Sequence, residues 1–258
     1  MAPKYATVAI DSASELARLY FTKAMGKHSA STEAIREVSN YPPATERLNM
    51  LIRRLKNLRD AGTEIVFTAH EDIQKVYARG GMIAKRGEAP QEPIAVKGWP
   101  DMPGNRTPDE MCRAADNVLR VRSINGKPQW IAKRELLGGG GDYWEVKDRF
   151  NGKELNGGYL PASYSELAKL ALGAKPMLWN PAYIWIIYGS FGIGKTRSLL
   201  TFPRPLKLFD LDRGAKSILY DVRLITEKEG PEAFVIESYD VEDVDSYDPF
   251  VASIAKCF

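Results

Sequence analysis

The sequence predicts an α/β fold built on a mostly parallel sheet flanked by helices, with an antiparallel extension at one edge. Three observations carry that expectation. Short β-branched and apolar runs recur along the chain and end in polar or acidic residues, as buried parallel strands do. Stretches with apolar residues at helical spacing lie between them and supply the crossovers that parallel strands need. One apolar run leads directly into a glycine-rich segment of the pattern G-x-x-x-x-G-K-T, which requires a strand before it and a helix after it.

Ala6 to Ile10 reads as the first strand, ending at Asp11-Ser12, and Ala13 to Met25 as the helix that follows. After a polar stretch from Gly26 to Pro43, Ala44 to Asp60 places Leu48, Leu51, Ile52, Leu55 and Leu58 on one helical face. Gly62 ends that helix. Glu64 to His70 is a second buried strand. Glu71 to Arg113, rich in Gly, Pro and charge, reads as a long functional or disordered loop.

Asn117 to Val121, Gln129 to Ala132 and Tyr143 to Val146 are short strands of the antiparallel extension, with Gly138 to Gly141 as a flexible turn. Tyr164 to Leu172 is a short helix. Tyr183 to Tyr188 is a fully apolar strand that delivers the glycine-rich loop, and a helix opens at Lys195 to Leu200. Leu206 to Asp212 is a strand ending in two carboxylates. Ala233 to Ser238 and Val244 to Ala255 close the chain as strand and helix.

A chain of 258 residues with an ordinary apolar share can bury a real core in one domain, here 1–258. A formal charge of +3 gives no global field for nucleic acid, so any such affinity must come from local clusters. The two cysteines, Cys112 and Cys257, lack metal-ligand spacing and read as unpaired thiols in a reducing compartment, hence a cytoplasmic protein. No apolar run approaches the roughly 18 residues needed to cross a bilayer, so no membrane partner is expected.

The loop Gly189, Ser190, Phe191, Gly192, Ile193, Gly194, Lys195 and Thr196 points to ATP, or a close nucleoside triphosphate, with Mg²⁺. Glycines let the backbone turn tightly and aim N–H groups at phosphate oxygens, assisted by the following helix N-terminus. Lys195 reaches the outer phosphates, the Thr196 hydroxyl coordinates the metal, and Arg197 is counted with the loop as a nucleotide contact. A carboxylate ending a neighbouring strand must share the metal, and Asp11 is placed for it. Asp210 and Asp212 alternate along one strand, so one should face the site and the other away; Asp212 is the choice for polarising the attacking water, the alternative being that it only caps the turn. His70, ending the second strand, is either a site residue or a surface histidine.

Together these segments resemble the RecA-like recombinases, most closely the short phage-encoded single-strand-annealing ATPases, with the family's pieces in rotated order. Residues 1–160 resemble its second half: Val8-Ala9-Ile10-Asp11-Ser12 the Walker B strand, Val66-Phe67-Thr68-Ala69-His70 the sensor strand, and Lys147-Asp148-Arg149 the finger pair. Residues 183–258 resemble its first half, with Gly189 to Thr196 as the Walker A loop and Phe209-Asp210-Leu211-Asp212 as the acidic strand; 161–182 would join the old ends. The resemblance implies a circularly permuted RecA-like core. It makes Thr68 and His70 sensor groups, and Lys147 and Arg149 contacts to a neighbouring subunit's triphosphate. It further implies a homo-oligomer, filament or ring, binding single-stranded DNA through 26–41 and 79–106, where Trp99 or Tyr77 could stack on bases.

Other functions compete. A small-molecule P-loop kinase would use the 79–106 stretch as an arginine-bearing lid, and a non-hydrolysing module would use nucleotide only to set its oligomeric state. A guanine-specific enzyme lacks support, because there is no Asn-Lys-x-Asp motif.

Overall fold

The apolar runs pair into one sheet whose register puts every polar strand end on the same side. A computed structural model describes residues 4–25, 41–76, 95–102, 106–137, 142–149, 152–172 and 182–257. The strands are β1 (Thr7–Asp11), β2 (Glu64–Val76), β3 (Ala95–Pro100), β4 (Asn117–Ile124), β5 (Lys127–Ile131), β6 (Tyr143–Trp144), β7 (Tyr159–Pro161), β8 (Ile184–Gly189), β9 (Leu206–Asp210) and β10 (Phe234–Ser238). Their order is β10-β9-β1-β2-β8-β4-β5-β7, with β3 pairing β2 and β6. From β10 to β4 every pairing is parallel, and β5 and β7 then add antiparallel. The expected mixed α/β sheet with an antiparallel edge is the fold observed.

The helices are α1 (Ala13–Met25), α2 (Tyr41–Asp60), α3 (Arg106–Ala114), α4 (Gly152–Leu155), α5 (Tyr164–Leu172), α6 (Lys195–Ser198), α7 (Leu219–Glu229) and α8 (Tyr247–Ala255). They cover both faces. Alternation along the strands splits the core accordingly: Val8, Ile10, Ile65, Phe67, Ile184 and Ile186 join Leu16, Leu55, Met111 and Phe250 on one face. Ala9, Val66, Trp185 and Ile187 join Leu167, Leu199 and Val222 on the other. Strands buried on both faces explain why their sequences are continuously apolar.

Local signals set the helix ends. Ser12 Oγ accepts from the Glu15 N–H at 3.4 Å to start α1, and Ser163 Oγ accepts from Glu166 N–H at 3.4 Å to start α5. Gly62, with φ of 102°, lets the chain leave α2, its N–H donating to the Arg59 carbonyl at 2.9 Å.

Two expectations need correction. The stretch 71–113 is not one long loop: β2 continues past His70 to Val76 and pairs antiparallel with β3, and α3 follows. The strand was cut short because Glu71-Asp72-Ile73-Gln74 is polar; it forms a ribbon beyond the core, with Ile73 exposed. Trp99, on β3, is buried at 5 % exposure, with Lys97 over its ring at 4.8 Å, so it is a packing residue and not a base-stacking one. The segments 26–40, 77–94 and 103–105, with Tyr77, and the Gly138 to Gly141 turn lie outside the described residues, as does 173–181 of the expected linker; the rest of that linker contains α5.

Candidate phosphate and metal site

Asp11 closes β1, Thr68 lies near the middle of β2, and Thr196 stands on the first turn of α6, yet the parallel register brings all three together. Thr196 Oγ1 donates to Asp11 Oδ2 at 2.7 Å, and Thr68 Oγ1 donates to Asp11 Oδ1. Thr68 therefore positions Asp11. Burial raises the Asp11 carboxyl to about 6, with the charge of Asp212 adding to it, while the two threonine hydroxyls act in the opposite direction.

Carboxylate oxygens of Asp11, Asp210 and Asp212 lie within 4.8 Å of one another. Both acidic residues at the end of the Leu206 to Asp212 run thus face the site, against the alternation expected. The reason is that β9 ends at Asp210, so Asp212 sits in the turn beyond it, where period two no longer applies. Asp210 is held by the Ala215 N–H at 3.4 Å and by Ser238 Oγ at 3.3 Å, and burial raises its carboxyl. Asp212 accepts from the Gly214 N–H at 2.7 Å.

Gly214 is a site residue that the sequence did not single out. A Cβ there would lie 2.7 Å from Asp212 Oδ1, 3.0 Å from Asp11 Oδ2 and 3.1 Å from Thr196 Oγ1. A glycine after Asp-Arg in a turn gives no sign of that crowding before the fold is known. The donor set gathered around it, carboxylates plus a hydroxyl, is the hard oxygen chemistry that suits Mg²⁺.

The loop itself has the expected conformation. Gly192 and Gly194 take φ of 72° and 98°, open to glycine and strained for other residues, and Gly194 precedes α6. At Gly189 a Cβ would strike the Val121 carbonyl at 2.7 Å. The Lys195 ammonium donates to the carbonyls of Gly189 and Ser190, each at 2.9 Å, and burial lowers its pKa. Ser190 donates to Glu71, whose other oxygen takes the Arg120 guanidinium at 3.0 Å.

His70 Nε2 lies 3.8 Å from Asp212 Oδ2, and its ring stacks on Phe191 with centroids 6.2 Å apart. Burial and the neighbouring Lys195 charge lower the His70 pKa, leaving the ring neutral at neutral pH. Phe191 and Ile193 extend the loop, Phe191 being almost fully exposed. Arg197 lines the same pocket and pairs with Asp221 at 3.2 Å.

Lys147 and Arg149 are not brought to this site. They lie near the start of β4, at the opposite end of the parallel strands from the loop. The Lys147 ammonium donates to the carbonyls of Arg113 at 3.1 Å and of Ala115, closing the end of α3, and Arg149 pairs with Asp116 at 3.0 Å. Burial lowers the Lys147 pKa.

The two cysteines are free and buried. Among the described residues no helix is long and apolar enough to cross a membrane. Comparison with protein-family models matches residues 2–149 to the family described as AAA domain. No curated protein and no solved structure matches the chain.

Proposed function

The chain belongs to the AAA domain family, which indicates a nucleotide-binding, P-loop ATPase-like protein, and from that premise we propose that it hydrolyses ATP at the site around Lys195. One observation carries the proposal. The carboxylate of Asp11 and the hydroxyl of Thr196, 185 positions apart in the chain, meet at 2.7 Å beside the phosphate loop.

Asp11 and Thr196 would hold Mg²⁺, with Asp210 and Asp212 beside them, and the ion would neutralise charge on the outer phosphates. The loop N–H groups and Lys195 bind and orient the triphosphate. Asp212 takes a proton from the attacking water, whose oxygen bonds to the terminal phosphorus; the bridging P–O bond breaks and its electron pair stays on the diphosphate. His70, neutral and beside Asp212, orients that water.

The finer reading is a circularly permuted RecA-like core, a homo-oligomeric, cytoplasmic ATPase of phage type acting on single-stranded DNA in recombination or annealing. The strand order supports it, since the loop strand β8 lies beside the sensor strand β2, then the Asp11 strand β1, then the acidic strand β9. Near neighbours at the two chain ends support the rotation: Lys23 on α1 pairs with Asp248 on α8 at 2.8 Å. The family match over 2–149, outside the loop-bearing segment, fits a core divided in this way.

The test is ATP turnover with and without single-stranded DNA over a salt series. Turnover that is lost in Lys195→Ala and stimulated by DNA, less so as salt rises, is the expected result. No turnover in the wild type rejects the ATPase; turnover indifferent to DNA rejects the DNA role.

A further inference from the structure

The pocket onto which the loop opens, about 430 Å³, has a second wall made by the turn after β9. Lys195 and Thr196 line one side, and Arg213, Lys216 and Ser217 line the other. That turn is rigidly seated. Ala215 and Ile218 are buried in the core, Gly214 is pressed against the carboxylates, and Ser217 Oγ donates to the Gly214 carbonyl at 2.8 Å. Arg213 takes a left-handed backbone, φ 62° and ψ 19°, a conformation that disfavours any residue with a side chain.

The charges on this wall are available. Arg213 holds only an exposed pair with Asp240 at 3.3 Å, and such surface pairs hold a side chain weakly. Lys216 is exposed and has no carboxylate partner among the described residues. Arg197, on the loop side of the same pocket, is likewise held only by an exposed pair with Asp221, whereas Arg149 pairs with the buried Asp116 and Lys147 closes the end of α3.

We propose that Arg213 and Lys216 clamp the terminal phosphate from the side opposite Lys195, so that this chain itself distinguishes a triphosphate from a diphosphate and neutralises the charge of the phosphoryl group being transferred to water. The inference rests on the reading that the loop binds a triphosphate. It locates the neutralising cations in the same chain as the loop, where the sequence had pointed to Lys147 and Arg149 of a neighbour.

The test is the affinity of ADP and of a non-hydrolysable ATP analogue, with Mg²⁺, for the wild type and for Arg213→Ala, Lys216→Ala, Lys216→Arg and Lys195→Ala. Both alanine variants at the second wall should weaken the triphosphate analogue about tenfold each and leave ADP within about twofold, the loss expected for one charged hydrogen bond. Lys216→Arg should restore the preference. Turnover per chain should fall in the same variants and be independent of protein concentration in the wild type. Equal losses for both nucleotides, or none, overturn the clamp while leaving the loop assignment standing. If the wild type binds neither nucleotide, or Lys195→Ala binds both unchanged, the underlying reading fails and the clamp with it. Both wall side chains are exposed, so unchanged melting temperatures are expected to exclude misfolding.

Discussion

The two ends of the parallel sheet both bury carboxylates, and they treat them in opposite ways. At the starting end, Glu64 accepts from Trp185 Nε1 at 2.7 Å, Tyr183 N–H at 3.0 Å and the Tyr164 hydroxyl at 3.0 Å. Asp116 likewise takes the Ile184 N–H at 2.9 Å, Arg59 at 3.2 Å and Arg149 at 3.0 Å. At the finishing end, Asp11, Asp210 and Asp212 face one another with no cation joined to them by a direct hydrogen bond among the described residues. A saturated buried carboxylate holds elements together; buried carboxylates that repel are kept for something that is brought to them. Lys147 and Arg149 belong to the first kind of region, where they close the end of α3 and pair with Asp116.

This contrast can be broken by substitution. The largest effect should come from Asp212→Asn: turnover should fall at least about 100-fold, while the nucleotide-free protein gains about 1 kcal/mol because repulsion is relieved, and melts about 2–4 °C higher. A loss of stability instead would erase the distinction between the two ends. Glu64→Ala should do the reverse, leaving the buried Trp185 indole N–H and two half-buried donors unsatisfied at a cost of about 3 kcal/mol and lowering the melting temperature by about 6–12 °C, with turnover intact below the transition. Arg149→Ala removes one exposed partner of Asp116 and should cost only about 1 kcal/mol in urea unfolding, since Arg59 and the Ile184 N–H remain.

The smallest effect sharpens the rule with a third carboxylate. Burial works to raise Glu237, but hydrogen bonds from Lys207, Ser253 and Tyr239 overcome it and pull the carboxyl down to about 2. Because its folded value lies below its unfolded one, Glu237 stabilises the protein above the ordinary glutamate range, and that contribution disappears as pH falls from about 4.5 toward 2. Its partial exposure keeps the effect near 1 kcal/mol. Glu237→Gln should flatten this part of an acid melting curve and leave neutral stability about 1 kcal/mol lower.

Much of this was legible in the residues. Continuous apolar runs such as Ile184 to Tyr188 announce strands covered on both faces, and the glycine spacing of 189–194 announces a loop whose backbone must bend where side chains cannot. Asp11 could be matched to Thr196 because strand ends in a parallel sheet gather at one edge. What escaped had no local signature. In α7, Leu219 and Leu224 are exposed while Val222 is buried, so its apolar residues form no stripe. Helix α3 is nine residues long and follows directly on the Pro- and Gly-rich stretch read as a loop. Arg213, Gly214 and Lys216 matter through what faces them across space, and nothing in their own sequence spacing records that.

Strand β2 leaves the main sheet without interruption and continues as the antiparallel ribbon with β3, its hydrogen-bond partners changing just beyond His70. Such a strand is a lever with its fulcrum at the phosphate pocket, since His70 sits beside Asp212 and the next residue, Glu71, touches Ser190. A shift of the ribbon, which β3 also ties to β6, would therefore reach His70 and Glu71 directly, and through them Asp212 and Ser190.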